Sequence, residues 1–469
     1  MSCNSCLHLS CCFHCFIAPS LIRPASISFR FLFIGYQFIT ILDHLSSFVL
    51  YKCPAQIHFK SRTDKFVNMT ILKVLGVLLG VSSAIGLPTY CSHDTALTSF
   101  KRPTYDFSVR ILDRVSQQTW GHFVFSPIST WLQLLTLAEG ARGPTEREIW
   151  RVTRYHKMKC FRRKYRELLN SMDKELNDMT RRTSTIVLNS LLDVKKGFTD
   201  AIMKDKDTKV LSINFNEPEE AVNKVNGWID EQMNGVIDEG VYVDDFNFTV
   251  LLMVDTAYFK SDWLYPFNQA YTTSEYFYDN NVEIGKVNLM TQDGYFNVTN
   301  VPALNASVLE LPFKSQRVSM LVVLPNKGQN VKDIFYSFKD IRLMTIFSLF
   351  NKEGPKLVTV RLPRFKVNTQ VNNLVELIHD MGVKKVFYPD LADLSGISDY
   401  RLYASLMTQV ADIEINEKGA RANSSADFLI QTRGGITEFN ANRPFAYLIV
   451  DKVTEIILFA GIYSDPNGV

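Results

Sequence analysis

Four histidines follow Met69, at positions 93, 122, 156 and 379, and hydrolytic or metal chemistry near neutral pH is most often built on such side chains. None stands in an H-E-x-x-H pattern or a metal-ligand pair, and no serine occupies a nucleophile elbow. No P-loop or dinucleotide fingerprint occurs either, so neither catalysis nor a bound cofactor or metal is expected of this chain. What remains is binding chemistry. Arg151, Arg154, Lys157, Lys159, Arg162, Arg163, Lys164 and Arg166 form a basic run that could hold a polyanion; a solvated charged face is the plainer alternative. Asn247, Asn297, Asn305 and Asn423 each open an N-x-S/T sequon, a candidate glycan site in a secreted protein and a common chance match otherwise.

The most unusual stretch runs from Glu414 to Phe445. Ala411, Ile413 and Ile415 alternate with Asp412, Glu414 and Asn416, which predicts a half-buried strand. Gly419 interrupts it. Beyond that point the even positions Ala420, Ala422, Ser424 and Ala426 are small and the odd positions Arg421, Asn423, Ser425 and Asp427 are polar. A strand with only small residues on one face can enter a packed core without displacing it, whereas bulky side chains would have to push that core apart. A polar loop rich in Ala and Ser would give the same letters, and the flanking residues separate the two readings.

Glu417-Lys418-Gly419 before the stretch and Phe439-Asn440-Ala441-Asn442-Arg443-Pro444-Phe445 after it resemble the hinge and the C-terminal signature of the serpin family. Other segments resemble the family in matching order from about Tyr105 to Pro466. They include Phe123-Val-Phe-Ser126-Pro127-Ile128-Ser129, Val287–Met290, Val308–Pro312, Met320–Pro325, Leu362–Lys366 and Ala392–Ser398. Leu251–Trp263 is similar to the family's Asn-Ala-Tyr-Phe-Lys-Gly-x-Trp strand, with departures at Asp255 and Ser261. The resemblance implies an α+β fold with a large, mostly antiparallel central sheet, two further sheets, about nine helices and an exposed reactive-centre loop near 418–438. It implies a protease inhibitor whose loop is cut as bait and then inserts into the central sheet. By the family's usual spacing, counting forward from Glu417 and back from Pro444 both place the bait at Arg433, followed by Gly434.

An arginine there fits the acidic specificity pocket of a trypsin-like serine protease, where its guanidinium pairs bidentately with a carboxylate. Leu429 or Ile430 would instead serve an elastase-like or chymotrypsin-like enzyme. Inserting Ala420 to Thr432 adds thirteen residues of strand, on the order of 10 kcal/mol at a net ~0.5–1.5 kcal/mol per hydrogen bond. Because protease domains are stable by about 5–15 kcal/mol, this is enough to deform the partner's active site. Glu417, Gly419, Ala420, Ala422, Ser424 and Ala426 are then the hinge, while Ser126, Ser129, Asp255 and Gln409 are the shutter beneath the sheet. At the shutter the family usually pairs an Asn with a His; here Asp255 and Gln409 stand at those positions, and a Gln amide can donate to the Asp carboxylate. Ser126 and Ser129 could also simply cap the helix that follows Pro127. The competing function is a non-inhibitory serpin acting as a carrier, storage or chaperone-like protein, which Asn423 in the hinge favours. In several serpins the helix corresponding to the basic run binds sulfated glycosaminoglycan, so that class of partner is implied too.

These residues must be positioned by a large body. The chain has 469 residues, 46% hydrophobic and 21% charged, and its net charge of +3 gives no whole-protein argument for nucleic acid. Residues 1–68 carry six of the eight cysteines and lack a sustained period, and their apolar run Phe31–Leu42 is too short to span a bilayer. Residues 69–86 read as a secretory signal, with a charged start, an apolar core and small residues near Gly86. A secreted, extracellular monomer with one domain over 87–469 follows, and the first 68 residues are expected to be absent from it. Cys91 and Cys160 either form one bridge or remain thiols. Glu217–Met233 predicts an amphipathic helix ended by Asn234-Gly235, and the nearly continuous apolar run Leu251–Trp263 a strand buried on both faces. Phe161, Tyr165, Leu168, Leu169 and Met172 keep helical spacing, which turns the basic residues outward.

Overall fold

Two segments, Leu251–Lys260 and Leu406–Ile415, lie side by side as parallel strands at the middle of a five-stranded sheet. The computed structural model describes residues 91–119, 121–202, 208–247, 249–418 and 437–467. Among them the chain forms α1 (His93–Gln118), β1 (Phe123–Phe125), α2 (Pro127–Gly140), α3 (Gly143–Thr153), α4 (Lys159–Leu176), β2 (Thr180–Asn189), α5 (Lys196–Ile202), β3 (Thr208–Ile213), α6 (Pro218–Met233), β4 (Leu251–Lys260), β5 (Thr273–Asp279) and β6 (Val282–Val301). There follow β7 (Ala306–Pro312), β8 (Val318–Pro325), α7 (Ile334–Ser337), α8 (Leu343–Glu353), β9 (Lys356–Pro363), β10 (Phe365–Val371), α9 (Leu374–Met381), β11 (Leu406–Ile415), β12 (Thr437–Asn440), β13 (Phe445–Asp451) and β14 (Ile456–Tyr463).

The central sheet has the order β10-β11-β4-β2-β3. Its pairings alternate: β10 with β11 and β4 with β2 are antiparallel, while β11 with β4 and β2 with β3 are parallel. The remaining strands run as β1-β14-β13-β8-β7-β6-β9-β12, with β5 on β6. Twenty-residue β6 belongs to both halves of this path, pairing β7 at its C-terminal end and β5 and β9 before it, and so joins two further sheets.

The inner strands β4 and β11 of the central sheet are buried on both faces along most of their length. On one side α6 packs Val225, Ile229 and Met233 against Val187, Leu252, Val254 and Val410. Pro218 opens that helix and Glu219 and Glu220 occupy its first turn, where anions suit the N-terminus; Asn234 (φ 52°) and Gly235 (φ 74°) end it in the left-handed region. On the other side lies the main core, including α2, which is buried along nearly all its length. Double burial changes one expectation. β11 is not half-buried, because Met407 through Ile413 are all inaccessible and the polar Asp412 is enclosed with them.

α1 starts well before Tyr105. Ser92, the N-cap ahead of His93, forms a capping box with Thr95 in the first turn, and the helix carries Pro103 in its interior. β1 is placed by β14, where Gly461 permits an approach that a Cβ would block at 2.0 Å from the Phe123 carbonyl.

Candidate functional site

The two ends of the segment between Lys418 and Thr437 are held by different sheets. At the first end Trp263, just past β4, stacks on Phe313 with ring centroids 4.5 Å apart and is almost fully buried. Its indole Nε1 donates to the Asn416 carbonyl at 2.7 Å and its backbone N–H to the Lys418 carbonyl at 3.0 Å. The Phe267 N–H reaches the Glu417 carbonyl at 3.1 Å. The Glu417 carboxylate accepts from the Thr272 hydroxyl at 2.8 Å and lies 3.7 Å from Arg364. Asn416–Lys418 is therefore tied by backbone and side chain to Trp263–Thr272. At the second end β12 runs parallel to β9 with Phe439 buried, and Arg361 pairs with Glu275 and, at 3.6 Å, with Glu438. Gly419, Ala420, Ala422, Asn423, Ser424, Ala426, Arg433 and Gly434, with residues 1–68 and 69–86, lie outside the described residues.

Beneath the central sheet Ser126, Ser129, Asp255 and Gln409, the residues expected to form the shutter, come together. Gln409 and Asp255 are direct neighbours in the β11–β4 register, and the Gln409 Nε2 donates to Asp255 Oδ2 at 3.1 Å. The same amide donates to the Ser126 carbonyl (3.0 Å) and the Thr130 hydroxyl (3.2 Å), and its Oε1 accepts the Ser126 N–H at 2.7 Å. Ser126 Oγ donates to the Leu458 carbonyl at 2.8 Å and lies 3.0 Å from Ser129 Oγ. One glutamine thus joins β4, β11 and the start of α2 through both ends of its amide. Ser126 sits at the N-cap position, but its hydroxyl makes no capping bond; it is used for β14 instead. Thr130 belongs to this cluster and sequence reasoning missed it. Its only signal was its place one turn along α2 from Ser126.

Cys91 and Cys160 form a disulfide with Cα atoms 6.4 Å apart, tying the residues before α1 to the first turn of α4. The basic run is not one surface. Arg151 lies on α3 and Arg154 is its left-handed cap, paired with Asp106; Lys164 and Arg166 pair with Glu167 and Glu139. The Arg162 guanidinium lies over the rings of Trp150 and Tyr155 at 5.2 and 5.8 Å. Arg151, Lys157, Lys159 and Arg163 are exposed and make no ion pair among the described residues.

Of the sequons, Asn247 follows a 3-10 turn and Asn305 occupies an exposed left-handed turn. Asn297 is in mid-strand, where its amide donates to Glu310 at 2.8 Å and the sequon's Thr299 donates to Glu353 at 2.7 Å, so both groups a glycan-transfer site needs are engaged. The histidines have local partners. His122 Nδ1 accepts the Asp465 N–H at 3.0 Å, with burial lowering the imidazole pKa; His156 accepts the Met158 N–H at 3.1 Å and stacks on Phe161. No group of three or more His, Cys, Asp or Glu is arranged to hold a metal ion among the described residues.

Comparison with known proteins matches residues 103–466 to the family model described as Serpin (serine protease inhibitor). A leukocyte elastase inhibitor of Xenopus tropicalis is 30% identical over 372 residues, covering 77% of this chain and 97% of that protein. Among solved structures, Manduca sexta serpin-12 is 26% identical with a TM-score of 0.68, covering 78% of this chain and 98% of the other. Native protease nexin-1 with heparin is 23% identical with a TM-score of 0.69, over 79% and 100%.

Proposed function

This chain belongs to the serpin family, and on that premise we propose that it is a secreted inhibitor that traps a trypsin-like serine protease through cleavage after Arg433. The observation that carries this reading is the parallel seam between β4 and β11, directly ahead of the loop. Parallel pairs are slightly less stable per residue than antiparallel ones. A strand that turns back after Lys418 and enters the seam is antiparallel to both neighbours, so its insertion replaces one weaker pairing with two stronger ones. On this reading the turn starts just beyond the contacts that Trp263, Phe267 and Thr272 make with Asn416–Lys418.

The protease serine attacks the Arg433 carbonyl carbon. The bond to Gly434 breaks, the released amine takes a proton from the protease histidine, and an ester joins Arg433 to the serine. Insertion of Ala420–Thr432 then carries the acylated enzyme away from the loop's other anchor, β12, and deforms it before water can hydrolyse the ester. Incubation with trypsin should yield an SDS-resistant complex and a released peptide beginning at Gly434. Cleavage with no complex would instead support the carrier or storage class, and inhibition that survives Arg433→Ala, or a peptide with another start, would overturn Arg433 as bait.

Secretion is supported by the Cys91–Cys160 bridge, since such bonds persist in oxidising compartments. Material from the producing cell should begin close to Leu87. Asn305 is then the glycan acceptor best placed among the described sequons, since Asn247 Nδ2 and the Thr249 hydroxyl are engaged by Asp244 and the Asp245 carbonyl. The exposed Arg151, Lys157, Lys159 and Arg163 are proposed as a sulfated glycosaminoglycan site; salt-sensitive retention on a heparin column, lost when all four become Ala, tests this.

A further inference from the structure

The α6-facing side of the central sheet is apolar along most of the seam but charged at the end next to the loop anchor. There Glu414 on β11 lies directly opposite Lys260 on β4 and, on its other flank, opposite Lys366 on β10. One residue pair further in, Asp412 lies between Asn368 and Tyr258. Lys260 Nζ is 2.5 Å from Glu414 Oε2, whose second oxygen accepts from Asn416 at 2.7 Å. Lys366 Nζ and Asn368 Nδ2 both approach Asp412 Oδ2 at 3.3 Å. Arg181 on β2, opposite Tyr258, and Lys418 beyond the strand complete the groups facing this row.

Among the described residues Lys260–Glu414 is the one ion pair that crosses from β4 to β11; Lys366–Asp412 joins β11 to β10 and is not separated when β11 leaves β4. We propose that Lys260 and Glu414 form a latch across the seam, positioning residues that set how fast the sheet admits a strand. The inference rests on the loop-insertion reading. A strand placed between β4 and β11 doubles their separation from about 4.8 to about 9.6 Å, and a 2.5 Å contact does not survive that. The latch sits at the end where entry begins, so it must open first. Burial raises the Glu414 carboxyl, yet the hydrogen bonds from Lys260 and Asn416 and the Lys260 charge hold it below its ordinary value, and the bond to Glu414 raises Lys260. Both groups are therefore charged at neutral pH.

The test uses a synthetic peptide with the sequence of residues 420–432, added to the intact full-length protein, with entry followed as a rise in thermal transition temperature. Glu414→Gln and Lys260→Gln should each speed annealing roughly two- to fivefold, the range expected of a partly exposed ion pair. The exchanged double variant Lys260→Glu with Glu414→Lys should return close to the wild-type rate. High salt should accelerate the wild type and the exchanged variant but leave the two Gln variants unchanged. Should either Gln variant fail to fold, the other single variant and the exchanged pair carry the same expectation. Equal rates in all forms, or no recovery on exchange, would overturn the latch while leaving loop insertion intact. Failure of the peptide to enter any form, including the Gln variants, would overturn loop insertion and the latch with it.

Discussion

Asp412 is a polar residue that strand alternation assigns to solvent and the folded chain encloses, only 1% exposed. Its Oδ1 has no hydrogen-bond partner among the described residues, and burial raises its carboxyl above the ordinary value despite Lys366 and Asn368. A carboxyl whose folded pKa is raised binds its proton more tightly folded than unfolded, so stability falls as pH rises from its ordinary value through the raised one. Asp412→Asn should therefore be more stable than wild type at pH 7, by on the order of 1 kcal/mol, with the gap closing as pH falls toward 4. Urea unfolding of both proteins across that range measures it; a constant gap would mean that Asp412 is not the titrating group. Gln409 should behave in the opposite way. Gln409→Leu removes the acceptor of the Ser126 N–H and the donor to Asp255, and should cost about 3 kcal/mol at neutral pH in the same assay.

At the scale of elements, much was legible because one local period suffices to read it. The nearly continuous apolar run of β4 announced a strand covered on both sides, and Val225 and Ile229 four apart announced the buried face of α6. Legibility ended where a second element decides the outcome. The alternation in β11 is genuine, yet Asp412, on the face that should have been wet, is enclosed beside Lys366 and Asn368 of β10, and no local pattern in 411–416 encodes that neighbour. The basic run read as one helix because its charges are continuous in sequence, whereas the left-handed Arg154 ends α3 and begins a new direction. The pairing of Cys91 with Cys160 depends on α1 and α4 lying together, a contact between residues 69 apart. Closing a loop of that length should contribute up to about 4 kcal/mol. Replacing both cysteines by serine should lower the urea midpoint accordingly; an unchanged midpoint would show that the bridge constrains nothing in the unfolded chain.

For the whole molecule, the proposed insertion of the loop would add a sixth strand to the central sheet, and a gain of about 10 kcal/mol should raise the transition temperature of loop-cleaved protein by more than roughly ten degrees. Calorimetry before and after limited cleavage at Arg433 reads this directly, and an unchanged transition would mean that the cut loop stays out. The order in which the sheet is assembled has a separate consequence for biosynthesis. Lys260 and Glu414 are 154 residues apart in sequence, so at about 5–20 residues per second the ribosome takes roughly 8–30 s to make the second after the first. Throughout that interval β4 has β2 on one side and nothing on the other: an apolar strand with an open backbone edge, competent to pair with any other nascent chain. The window for misassembly is thus set by the distance between two strands along the message, and slowed translation between codons 260 and 406 should increase aggregation of this protein even though it alters no residue.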